Sequence, residues 1–122
     1  ELYRKLLLDK LEVNAGMLIE NIVAQMLVAA GHNLYFYSNS DKEEAENRME
    51  IDFLIREDEV TSRHNIIPIE AKSSSGYTTH SLNKCAQKFK EYITLPTVLH
   101  PAEYKEDTDG KRYLPLYMTP LL

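Results

Sequence analysis

Apolar residues recur every three or four positions between residues 15 and 30, and every second position between residues 49 and 55. These two periods divide the chain into helix and strand. Ile19, Ile22, Val23, Met26, Leu27 and Ala30 predict a helix over residues 15–30, with Asn14 as its N-cap and Gly31 as its stop. Leu7, Leu8 and Leu11 predict a further helix or helical turn within residues 1–13. The aromatic-rich run NLYFYS, residues 33–38, reads as a strand. Residues 49–56 and 65–72 read as two more strands, and the polar residues 57–64 between them predict a hairpin with a long turn. The polar runs SDKEEAENR (40–48) and SSSGYTT (73–79) read as loops. A helix is expected from a Thr79 cap to about Tyr92, with Leu82, Cys85, Ala86, Phe89 and Ile93 facing inward. A short strand at 96–100, an acidic loop at 101–111 and a last strand at 113–118 complete the chain. The order α-β-β-β-α-β-β predicts an α/β domain, a mixed sheet flanked by helices.

Both central strands carry ionisable groups inside apolar runs. Asp52 interrupts MEIDFLI, while Glu70 and Lys72 close IIPIEAK. Burying a charge is expensive unless it is paired or bound to a metal. Side chains alternate across a strand, so Met49, Ile51, Phe53 and Ile55 are expected on one face and Glu50, Asp52, Leu54 and Arg56 on the other. The same rule puts Ile67, Ile69 and Ala71 opposite Ile66, Pro68, Glu70 and Lys72. With both apolar faces in one core layer, Asp52, Glu70 and Lys72 emerge together. On the first long helix the neighbours of Glu20 are Gly16, Met17, Val23, Ala24 and Leu27, all apolar or glycine. This predicts a carboxylate within the buried stripe, in need of a partner.

Taken singly, a Glu-x-Lys at a strand end is an ordinary solvated terminus, and an Asp in an amphipathic strand lies on its wet face. The combination is more specific. Asp52 and Glu70, with the Ala71 carbonyl as a third ligand, offer hard oxygens suited to Mg²⁺ or Mn²⁺. A metal there would acidify a bound water and stabilise charge on a phosphate. Lys72 would orient or deprotonate that water, or offset phosphate charge.

Composition narrows the setting. A chain of 122 residues, 43% hydrophobic and 27% charged, is expected to form one soluble domain. No apolar run approaches a bilayer's thickness and no signal-peptide pattern opens the chain. A single cysteine, Cys85, excludes an intramolecular disulfide and a cysteine-built zinc site, so a cytoplasmic setting is expected. The net charge of −5 argues against a general nucleic-acid-coating protein. The first residue is Glu1, not methionine, which suggests a piece of a longer protein.

Glu20 in GMLIENIVAQ, Asp52 in EIDFLI and Glu70-Ala71-Lys72 in PIEAKSS resemble, in order and context, the PD-(D/E)XK nuclease superfamily. With the closing YLPLYM, these phrases look closest to the uncharacterised C-terminal domain of many bacterial and archaeal AAA+-type P-loop ATPases. The resemblance implies a restriction-endonuclease-like αβββαβ core and, in active members, Mg²⁺-dependent phosphodiester cleavage. It makes Glu20, Asp52 and Glu70 metal-site acids and Lys72 the catalytic lysine. Gln87 and Tyr92 in CAQKFKEY match auxiliary residues of some members. Ile51 stands where the superfamily's name has proline, a frequent substitution. No Walker motif is present, so ATPase activity would belong to an N-terminal ATPase domain of the same chain. The implied function is Mg²⁺-dependent DNA hydrolysis or DNA binding. The alternative is a non-catalytic interaction or regulatory module of the ATPase that keeps the fold.

The remaining signals read as ordinary structure. Lys84, Lys88 and Lys90, beside His80 and Lys72, are expected on a solvated face of mixed charge with Glu91. His32, His64, His80 and His100 read as surface histidines, and Cys85 as a small core residue. Tyr35, Phe36 and Tyr37 read as strand packing, not base-stacking platforms, because no basic residues interleave them.

Overall fold

A computed structural model describes residues 15–39, 49–57, 65–74, 76–106 and 110–122. The expected helix over 1–13, the Asn14 cap, the loop at 40–48 and most of the turn at 57–64, including His64, lie outside the described residues.

Helix α1 (Ala15–Ala29) precedes strands β1 (Tyr35–Asn39), β2 (Met49–Arg56) and β3 (Ile66–Ala71). Helix α2 (His80–Lys88) leads to β4 (Thr97–His100), β5 (Lys105–Glu106) and β6 (Arg112–Pro115), and a 3₁₀ turn, Leu116–Leu121, follows. The strands form one mixed sheet in the order β1-β2-β3-β4-β6-β5. β1, β2 and β3 are antiparallel neighbours, while β3, β4 and β6 run parallel. A parallel step needs a crossover, and α2 supplies the one between β3 and β4.

Each sheet face has its own core. Val23 and Leu27 of α1 pack with Phe53, Ile55, Ile67, Ile69 and Ala71. Leu82 and Cys85 of α2 pack with Met49, Ile51, Val98 and Tyr113 on the other face. Cys85 is a buried core residue, as its position on the inner helix face predicts.

α1 ends in a Schellman motif. The Gly31 N–H bonds to the Val28 carbonyl and the His32 N–H to the Leu27 carbonyl, with Gly31 at φ +97°. Its buried stripe is narrower than its apolar sequence suggests. Ile22 is exposed, and so are Met17, Leu18 and Val28. α2 stops at Lys88, short of the expected Tyr92, because the chain turns at Phe89 to lay Ile93 beside Ile66. The expected acidic loop contains β5, paired with β6. The expected last strand ends at Pro115, which has no N–H to continue a ladder, and 3₁₀ geometry takes over.

One feature of β2 departs from simple alternation. Tyr37 pairs with Ile51 and Tyr35 with Leu54. Two steps along β1 therefore match three along β2, so β2 carries one extra residue between Ile51 and Leu54. This is a β-bulge at Asp52–Phe53, and it reverses the pleat. Met49 and Ile51 face α2, whereas Phe53 and Ile55 face α1. The expectation that all four share one face is corrected accordingly.

Candidate active site

The bulge places Asp52 where β2 parts from β3. The β2–β3 ladder is regular from Arg56–Ile66 to Phe53–Ile69. One step further on, the Asp52 side chain takes over: its Oδ2 accepts the Ala71 N–H at 2.8 Å. A carboxylate so held is fixed by the backbone of the neighbouring strand.

Glu70 sits one residue earlier on β3, between β2 and β4, and is only 3% exposed. The Lys72 Nζ lies 3.4 Å from its Oε2. That contact is an ion pair without hydrogen-bond alignment, and Oε2 has no hydrogen-bond partner. A buried carboxylate oxygen in this state is costly unless something else coordinates it.

Glu20 approaches from α1. It is exposed, not within the buried stripe, which corrects the expectation drawn from its neighbours. The stripe is centred on Ile19, Val23 and Leu27, and Glu20 lies about 100° round the helix from Ile19. Gly16 and Met17, two of the neighbours that suggested burial, are themselves exposed. From that flank Glu20 comes close enough to Asp52 for the two negative charges to oppose each other.

A cleft of about 260 Å³ gathers Glu20, Glu50, Asp52, Glu70 and Lys72 with Thr78 from the preceding loop and His80 and Ser81 from the start of α2. The four expected residues thus line one space, although they come from three elements. The carboxyl pKa values rise together. Burial is the main cause for Asp52, opposed by the Ala71 N–H and by Lys72. Burial likewise dominates at Glu70, opposed by Lys72 and reinforced by Asp52. At Glu20 burial and the Asp52 and Glu50 charges all act upward. The cluster therefore binds protons more readily than free carboxyls do, and a divalent cation would compete with them. Among the described residues, no group of three or more His, Cys, Asp or Glu side chains is placed to hold a metal ion. Two carboxylates suffice for a hard cation that keeps its waters and takes ligands from a phosphate.

Gln87 is exposed on α2 and does not line the cleft. Tyr92 is also outside it, at the far end of β3, where its carbonyl accepts the Ile66 N–H.

Glu50, Thr78 and Ser81 were not singled out from sequence as site residues, and His80, read there as a surface histidine, is exposed at the cleft's rim. Ser81 is tied to the strand through the Glu50 N–H, which donates to its Oγ at 3.3 Å. The position of His80 and Ser81 at the start of a helix that follows the Glu-x-Lys strand was the available signal. The loop carrying Thr78 is braced by Tyr77, which shares a 2.9 Å hydrogen bond with His100 Nδ1. His100 is 3% exposed, against the expected surface position, and its Nε2 meets the Glu103 carbonyl at 2.9 Å. A carbonyl only accepts, so Nε2 donates to it, and in the tautomer protonated at Nε2 the Nδ1 atom accepts from the Tyr77 hydroxyl.

Structurally the chain is a mixed α/β domain with a carboxylate–lysine cleft at the fork of two central strands. It belongs to the family described as Domain of unknown function (DUF4143), which matches residues 15–118. No curated protein and no solved structure matches it.

Proposed function

We propose that this domain is a divalent-cation-dependent phosphodiester hydrolase of the PD-(D/E)XK nuclease type, acting on DNA, and that it forms the C-terminal part of a P-loop ATPase. The observation that carries the reading is the buried Glu70 Oε2, which lacks a hydrogen-bond partner in a cleft shared with Asp52, Lys72 and Glu20. That donor set fits Mg²⁺ or Mn²⁺: hard oxygens, open to solvent on one side, with room for water and phosphate. Asp52 and Glu70 hold the cation, and Glu20 completes the acidic wall. Bound there, the cation supplies charge neutralisation and an acidified water. Asp52 keeps its orientation through the Ala71 N–H. The Lys72 side chain is 28% exposed, and its ammonium offsets phosphate charge at the cleft's opening. The order of Glu20, Asp52 and Glu70-x-Lys72 along the chain supports the same reading.

The second reading is a non-catalytic module that regulates the ATPase, and the net charge of −5 favours it. Calorimetry with Mn²⁺, followed by cleavage assays on single- and double-stranded DNA at low salt, separates the two. Weak Mn²⁺ binding that vanishes in Asp52→Asn, together with slow cleavage, supports hydrolysis. Tight metal binding with no cleavage of any DNA form, in the ATPase-linked protein as well, selects the module.

A further inference from the structure

Beside the carboxylate cleft lies a second depression of about 380 Å³, between α1 and the β1–β2 ribbon. Glu20, Glu50 and Asp52 line both spaces, so the two are continuous. The second is different in character, walled by Met17, Ala24, Phe36 and Phe53 with the Asn21 amide among them. Its volume lies within the range of small-ligand sites.

Phe36, expected from sequence to be strand packing and not a base-stacking platform, is 70% exposed, and Met17 is 65% exposed. Phe36 nevertheless has a ring partner. Its ring centroid is 6.0 Å from that of Phe53 at an interplanar angle of 54°, so one side is braced and the other open. An exposed aromatic on β1, at the edge of the sheet, is a liability for aggregation. With Met17, Ala24 and Phe53, Phe36 forms an exposed apolar wall beside the carboxylate cleft, a surface suited to a ligand.

We infer that this depression is a subsite for an unpaired nucleobase, stacked on Phe36, and that the substrate strand is single-stranded where it is cut. The inference rests on the hydrolase reading and names its substrate class. Charge supplies the argument for stacking. The cleft sets four carboxylates against one lysine in a protein of net charge −5, so neutralisation of the DNA backbone contributes little to holding the strand. Stacking on an aromatic face is uncharged and tolerant of sequence. An intact duplex cannot offer it, because its base faces are already stacked inside. The Asn21 amide, with both donors and an acceptor, is suited to the edge of a base.

The test uses the 122-residue chain, a labelled oligothymidylate and a duplex of equal length at low salt. Binding is read by anisotropy with Ca²⁺, and cleavage by gel with Mn²⁺. The single strand is expected to bind and to be cut preferentially. Phe36→Leu, which keeps apolar bulk but loses the π-face, weakens single-strand binding roughly 5- to 100-fold. Phe36→Tyr restores it. A duplex cut as fast as the single strand, with Phe36→Leu unchanged, overturns the subsite and leaves the hydrolase reading standing. Single-strand binding that depends on Phe36, without metal binding or cleavage, supports the subsite and removes the hydrolase reading. Failure to bind either nucleic acid overturns the inference.

Discussion

At Glu70 a charge sits in the middle of a sheet with a single lysine for company. Burial holds its carboxyl above the ordinary value, as it does those of Asp52 and, together with its acidic neighbours, Glu20. For acids raised in the folded state, the native protein binds more protons than the unfolded chain between the ordinary and the raised pKa. Stability is therefore lost as pH rises through that window. The metal-free domain is expected to gain thermal stability on acidification from neutral pH toward about 5, above the ordinary carboxylate range. Melting followed by circular dichroism checks this, and saturating Mn²⁺ should flatten the slope. A midpoint falling steadily over the same range would show that the cluster is not strained. Glu70→Gln should raise metal-free stability at neutral pH by on the order of 1 kcal/mol while abolishing Mn²⁺ binding. Lys72 is left with a side chain 28% exposed, so no uncompensated buried charge opposes the gain.

The decisive element is β2, where a side chain replaces a ladder bond. Asp52→Asn keeps an acceptor for the Ala71 N–H and Asp52→Ala does not. The alanine variant should be less stable than the asparagine variant by about 1–2 kcal/mol in urea titrations, since both lose the charge and only one orphans the N–H. At the end of α1, Gly31→Ala should cost about 1 kcal/mol. A Cβ there meets nothing within 4 Å, so the cost is backbone strain at φ +97° and not a clash. The elements themselves were largely legible, because helix and strand periods are strong in this chain. The bulge was not. Met49, Ile51, Phe53 and Ile55 are all buried, so apolar alternation continues unbroken through the reversal. Helices cover both sheet faces, and a pattern of apolar and polar positions cannot say which helix an apolar residue meets. Glu20 was misread for a related reason: an apolar neighbourhood on a helix does not fix which flank the sheet covers. His100 carried no sequence signal of burial, because its partners, Tyr77 and the Glu103 carbonyl, come from the loops around it.

For the whole molecule, the proposed chemistry separates binding from turnover. Lys72→Ala should leave Mn²⁺ affinity within about threefold of the parent and remove DNA cleavage, since a lysine provides charge and proton handling and not coordination. Loss of metal binding in that variant would make Lys72 a scaffold for Glu70. Among the described residues, no helix is long and apolar enough to cross a membrane. The reversal at Asp52–Phe53 also has a consequence for how this chain tolerates change. β2 is a single strand read in two frames, so its halves answer to different helices. Compensation for substitutions at Met49 or Ile51 is expected at Leu82 or Cys85, and for those at Phe53 or Ile55 at Val23 or Leu27. A double-substitution scan of stability would show two separate blocks of epistasis, with near-additive behaviour between them. Removing one residue at the seam would restore a regular pleat in which each half still meets its own helix, so the deletion is expected to spare the two cores and to cost the cleft its displaced Asp52 carboxylate.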